Sequence, residues 1–229
     1  MRAGALLEES LNRFREVGDT WGIAYALDHN AILARNLGQY ERAAILLDSS
    51  LTLRRKLGDQ QGIAISLSSL GDIAEIRGDW ETAAMFHGKS LDLFRALGDK
   101  AGTAYALGQI GTAAFHTGDC AQAERLCLQS LARFWEIQDR RRVARALEAI
   151  AQILVSHGAG KKAVRLLSAS ASLRASIGAA LPPHQAAGLE RCLSALRADL
   201  GERKFDQAWL QGNTMGLENA LADALQPQF

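Results

Sequence analysis

The sequence predicts an all-α protein: a right-handed α-solenoid of antiparallel helix pairs with a C-terminal helical cap. Three observations carry this expectation. "LGD" at 57–59 returns at 97–99, "VGD" stands at 17–19 and "IQD" at 137–139, so a 40-residue period runs through the chain without gaps. Apolar residues recur at helical spacing between the repeating glycines. Of three prolines in the chain, two are adjacent, Pro182 and Pro183, so helix-breaking chemistry is concentrated where the period is lost.

The elements follow in order. Residues 1–17 align with 41–57, matching Leu6, Leu7 and Leu11 to Leu46, Leu47 and Leu51, and are expected to form a second helix (B) that lacks its first (A). Repeats are expected at about 18–57, 58–97, 98–137 and 138–177 within an array over 1–181. In the first of them helix A is expected at about 20–36 and helix B at about 40–56. Gly38, Gly78, Gly118 and Gly158 follow the A helices, where a left-handed C-cap is least strained in glycine. Asp79 and Asp119 stand at the N-caps of B helices, and Asp59 at that of an A helix. Small residues at 31, 71, 111 and 151, and alanines at 43, 83, 123 and 163, permit close helix approach. Serines recur at 50, 90, 130 and 170. Beyond Pro183, "LERCLSALRADL" supplies an apolar stripe, and 182–229 is expected to be a set of capping helices.

These residues resemble the tetratricopeptide (TPR) pattern. "LSSLG" at 67–71, the glycine of "RGDW" and Ala83 match it; the 40-residue length exceeds the common 34 and resembles a long-repeat subfamily. The tail "LRADLGERKFDQAWLQGNTMGLENALADAL" resembles the segment closing the TPR region of bacterial STAND-class ATPases, in LuxR-like and AfsR-like transcriptional regulators. Arg197, Ala198, Leu200, Gly201, Phe205, Ala208, Trp209, Gly212, Glu218, Ala220 and Leu225 carry the match. That resemblance implies the sensor or scaffold arm of a signal-transduction ATPase or regulator. The orphan first helix is likewise read as a sign that the chain is the C-terminal piece of a longer protein. A stand-alone adaptor tethering protein partners is the alternative.

Composition narrows the chemistry. The chain has 229 residues, 48% hydrophobic and 22% charged, with net charge +1, so no global field recruits nucleic acid or anionic lipid. The opening residues lack an uninterrupted apolar run of signal-peptide type, and the cytoplasm is the expected location. Three cysteines argue against a disulfide framework, and no pair of Cys or His completes metal-ligand spacing. The five histidines, at 29, 87, 116, 157 and 184, are dispersed. No P-loop or HExxH occurs; "HGAGKKAV" at 157 falls on an inter-helix turn. No enzyme activity, cofactor or metal is therefore expected. "DRRRVAR" at 139–145 places arginines near a positive helix terminus, a minor case for an acidic partner.

The TPR resemblance also implies a concave face lined by the A helices. Carried over by the repeat alignment, its positions are Tyr25, Asp28, His29, Ile32, Arg35 and Asn36, then Ile65, Ser68, Asp72 and Glu75. Tyr105, Gln109, Thr112, Phe115 and His116 follow, and then Arg145, Glu148 and Gln152. These vary while the frame repeats, as a groove with distinct subsites would. A protein or peptide segment, or a small ligand, is the expected occupant, with no direct nucleic-acid or membrane binding. Leucines left uncovered on the first helix invite self-association.

Overall fold

A computed structural model describes residues 2–181 and 183–226. Among them are twelve α-helices and no strand. They are α1 (Arg2–Val17), α2 (Thr20–Asn36), α3 (Tyr40–Leu57), α4 (Gln60–Ile76), α5 (Trp80–Ala96) and α6 (Lys100–His116) in one unit, residues 1–117. The second unit, 118–229, holds α7 (Cys120–Glu136), α8 (Arg140–Ser156), α9 (Gly160–Ser176), α10 (Pro183–Leu200), α11 (Glu202–Thr214) and α12 (Leu217–Leu225). Among the described residues no helix is long and apolar enough to cross a membrane.

In the first unit a left-handed glycine followed by a capping aspartate writes every turn but the one at Gly38. Gly38, Gly58, Gly78 and Gly98 have φ between 68° and 76°, the left-handed region open to glycine. Asp19, Asp59 and Asp99 each accept from the backbone N–H of the glycine three residues on, and Asp79 from that of Thr82. Gln39 makes no such side-chain cap. Ala43, Ala83 and Ala31 are buried where helices cross, and Leu47, Leu51, Leu67, Leu70 and Ile73 fill the core between them.

Hydrogen bonds then tie helix B back to helix A. Ser50 Oγ donates to the Ala24 carbonyl at 3.0 Å, whereas Ser90 one repeat later bonds within its own helix, to the His87 carbonyl at 2.9 Å. Arg54 donates to Asp28 Oδ2 from Nε at 3.0 Å and from Nη2 at 2.5 Å, and also reaches the capping carboxylate of Asp59. Gly62 is the space that guanidinium occupies, since a Cβ there would overlap Arg54 Nη1.

The second unit repeats the scheme through α9 and then departs from it. Ala123, Ala151 and Ala163 are buried at crossings, and Ser170 Oγ donates to the Ala144 carbonyl at 3.0 Å. Gln138 stands where the earlier turns have glycine and takes φ 57°, the one positive φ at a non-glycine among the described residues. Pro183 is the first residue of α10, where its missing N–H costs no hydrogen bond; Pro182 lies outside the described residues. α11 crosses α9 at Gly212, where an added Cβ would lie 2.3 Å from the Arg165 carbonyl oxygen. Ser168 Oγ donates to the Trp209 carbonyl at 2.7 Å, and Arg165 forms a two-pronged pair with Asp223 of α12 at 2.8 and 3.0 Å.

Candidate functional site

The groove positions expected from the sequence divide by what they touch. In the first unit, the A helices α2, α4 and α6 bring five of them into a hydrogen-bonded cluster. Arg35 Nη1 donates to Asp72 Oδ2 at 2.8 Å, and the Tyr105 hydroxyl donates to Asp72 Oδ1 at 2.5 Å. Gln109 Nε2 donates to Glu75 Oε2 at 2.8 Å. Side chains one repeat apart thus cross from each A helix to the next, and the cluster is half-buried rather than fully solvated.

Beside it lies an open aromatic strip. Trp21 and Tyr25 stack with centroids 5.5 Å apart, and Tyr25 meets His29 at 4.1 Å. His29 donates through Nδ1 to the Tyr25 carbonyl at 2.9 Å, which fixes its ring. Trp21 is 53% exposed and Tyr25 45% exposed, and Ile32 and Asn36 continue along the same helix as exposed residues. Ile65, at the position of Tyr25 one repeat later, is exposed as well. On α6, Thr112 and Phe115 are half-buried, while His116 stacks on Trp80 at 3.7 Å. Desolvation lowers the His116 pKa against the upward pull of Glu75.

Other expected groove residues are taken up by the scaffold. Asp28 is buried, because its carboxylate neutralises Arg54 and accepts from Ser66 Oγ at 3.2 Å. Ser68 and Gln109 are buried too. In the second unit Glu148 accepts from Arg174 Nε at 2.7 Å and Nη2 at 3.0 Å, and from Ser170 Oγ at 2.6 Å. Arg145 and Gln152 are exposed on α8. Of the basic run, Arg142 lies over the Phe134 ring at 5.6 Å and within 3.4 Å of Asp139, whereas Arg140 and Arg141 are exposed. In the glycine turn at 157, Lys162 is buried and donates to the Gln226 carbonyl at 2.8 Å, so that turn faces the end of α12.

One participant was missed altogether. His87, on helix B of the second repeat, is 0% exposed and points at the Asp72–Glu75 pair, with Nε2 3.2 Å from Glu75 Oε1 and 3.9 Å from Asp72 Oδ1. The 3.2 Å approach lacks hydrogen-bond geometry: Glu75 Oε1 and both His87 ring nitrogens have no partner. Gly71 makes the room, since a Cβ there would sit 2.6 Å from His87 Cε1 and Nε2. A sequence signal existed: the equivalent positions in other repeats are Leu47, Cys127 and Leu167, so a histidine interrupts an apolar register.

Against this geometry the likeness to known proteins is specific in kind. Residues 22–96 match the tetratricopeptide repeat family model. The crystal structure of BtubC (BKLC) from P. vanneervenii is similar to this chain with a TM-score of 0.66 at 19% identity, covering 79% of this chain and 75% of that one. The TPR-like repeats of a candidate kinesin light chain from Podosopora anserina are similar with a TM-score of 0.53 at 15% identity, over 95% of this chain and 99% of that one. At these identities the likeness concerns the fold, an α-solenoid of TPR-like hairpins. No curated protein matches the chain.

Proposed function

We propose that the chain is a non-catalytic binding module that holds a protein or peptide segment along the A-helix face of residues 20–116. The observation that carries this reading is the exposed Trp21–Tyr25–His29 stack, continued by exposed Ile32 and Ile65 and bordered by the Arg35–Asp72–Tyr105 cluster. Apolar rings held in order at a solvent face lose little conformational freedom when a partner covers them. Hydrogen-bonding groups at fixed positions beside them select register. A small ligand would use the same residues at shorter reach.

The tail motif supports a finer setting. Phe205, Ala208, Gly212 and Ala220, all residues of the regulator-like pattern, are buried and seat α11 and α12. We read the chain as the cytoplasmic sensor or scaffold arm of a signal-transduction ATPase, where partner binding favours one state of that ATPase over another. A stand-alone adaptor would keep the same groove.

The test is partner capture followed by single replacements. Tyr25→Ala and Ile65→Ala should each weaken a captured peptide or protein several-fold, and Met85→Ala, exposed on a B helix, should not. Unchanged affinity in both groove variants contradicts the site. Stimulation or inhibition of an ATPase encoded beside this chain, on adding the chain, separates the regulator arm from the adaptor.

A further inference from the structure

We propose that Asp72, Glu75 and His87 form a binding site for a divalent metal ion of the zinc type. Each offers one ligand atom, and the three lie within 4.8 Å of one another. The inference rests on the unpartnered groups. His87 is fully buried with neither ring nitrogen hydrogen-bonded, and its Nε2 faces the equally unpartnered Glu75 Oε1. With the ring proton on Nδ1, these are two lone-pair atoms 3.2 Å apart, an arrangement that a cation relieves.

The spacing suits a metal. Bonds of about 2.0–2.1 Å at tetrahedral angles place neighbouring ligand atoms about 3.3 Å apart. The His87–Glu75 separation of 3.2 Å meets that value, while the His87–Asp72 separation of 3.9 Å and a spread of up to 4.8 Å among the three ligand atoms require the carboxylates to draw in around the ion. Nitrogen and carboxylate donors in this number suit zinc; calcium takes six to eight oxygens.

The surrounding side chains already do what outer ligand shells do. Arg35 and Tyr105 hold the Asp72 carboxylate and Gln109 holds Glu75 by its other oxygen, leaving Oε1 turned to His87. Two carboxylates against one guanidinium leave the cluster attractive to a cation. Asp72 and Glu75 retain some solvent exposure, so an ion enters past them from the groove face and keeps water as its fourth ligand.

The experiment uses the full chain, stripped with a chelator and titrated with zinc chloride by calorimetry and thermal denaturation. Wild type should bind one equivalent, with a melting temperature that rises with zinc concentration. His87→Gln and Glu75→Gln should weaken binding by about tenfold or more, and His157→Gln, an exposed histidine of the second unit, should leave it unchanged. Nitrogen-15 imidazole spectra of the wild type should show zinc shifting the His87 Nε2 resonance, a readout that needs no variant to fold. No binding by wild type, an unmoved His87 resonance, or wild-type affinity in both cluster variants overturns the proposal.

Discussion

Arg54 holds Asp28 across 26 residues of sequence, helix B to helix A within one repeat, with both side chains buried. The same device recurs where Arg174 holds Glu148, again 26 residues apart. At the intervening equivalents the chain has Phe94 and Phe134, and there the acid is replaced by Ser68 and Gly108. Arginine and acid therefore come and go together. Removing one partner of a buried pair is costly, and because Arg54 keeps its contact with Asp59, Asp28→Ala should cost about 3 kcal/mol, the low end for a broken buried pair. Asp28→Leu combined with Arg54→Leu should cost less than the sum of the two single changes. Denaturant unfolding of the four proteins measures the coupling; strict additivity would contradict a direct pair.

How far the sequence reached is clear from these residues. Helix bounds and caps were legible because glycine, aspartate and the apolar period act locally: α2 spans Thr20–Asn36 where about 20–36 was expected. The groove was legible only in part. Repeat alignment placed Arg35, Asp72, Glu75, Tyr105 and Gln109 on successive A helices, and they do meet. It could not show that Asp28 and Glu148 answer arginines on helix B, because those partners lie in the part of the pattern read as scaffold. His87 was missed for the same reason. Its ligand-like neighbours are 12 and 15 residues away in sequence, so no short-spacing rule detects them.

Two glycines should respond in opposite ways to the same methyl group. At Gly71 a Cβ would meet the His87 ring at 2.6 Å, and relief requires moving a buried side chain. Gly71→Ala should destabilise by about 1–3 kcal/mol. At Gly88, inside α5, nothing lies within 4 Å of a new Cβ, so Gly88→Ala should stabilise by about 0.5–1 kcal/mol through backbone entropy alone. Thermal melts of the two variants give the signs.

Gln138 interrupts the glycine series at a turn with φ 57°. A left-handed conformation costs a residue with a side chain about 1–2 kcal/mol, partly offset by the greater unfolded-state freedom of glycine. Gln138→Gly should therefore raise stability by up to about 1 kcal/mol, whereas Gly118→Gln, at φ 90°, should lower it. Equal stability of Gln138→Gly and wild type would show that side-chain contacts of Gln138 compensate.

Burial pushes the Cys127 thiol up to about 12. In the unfolded chain a thiol titrates near about 8.5, so between these values the unfolded state has lost a proton that the folded state keeps. Stability from this group is intact below about pH 8.5 and declines as pH rises toward the folded value. Cys127→Ala should flatten that decline in alkaline denaturation curves. Iodoacetamide at neutral pH should modify the half-exposed Cys120 and Cys192 before Cys127.

The C-terminal helices depend on one close approach. At Gly212 a Cβ would stand 2.3 Å from the Arg165 carbonyl and 2.8 Å from Ser168 Cβ, and neither backbone nor β-carbon can swing aside. Gly212→Val should therefore push α11 from α9 and break the Ser168 bond to the Trp209 carbonyl. The Arg165–Asp223 pair then no longer has α11 holding α12 in place. We expect amide exchange in 202–225 to accelerate by tenfold or more, matching a loss of about 1.4 kcal/mol or greater, with Trp209 emission shifting toward that of a solvated indole. Gly216→Ala is the control, because nothing lies within 4 Å of its Cβ and its φ of −65° suits alanine. If Gly212→Val leaves exchange in 202–225 unchanged, the tail is held by the Arg165 and Lys162 contacts to α12 alone. Replacing Asp223 by Ala should then release what Gly212→Val did not.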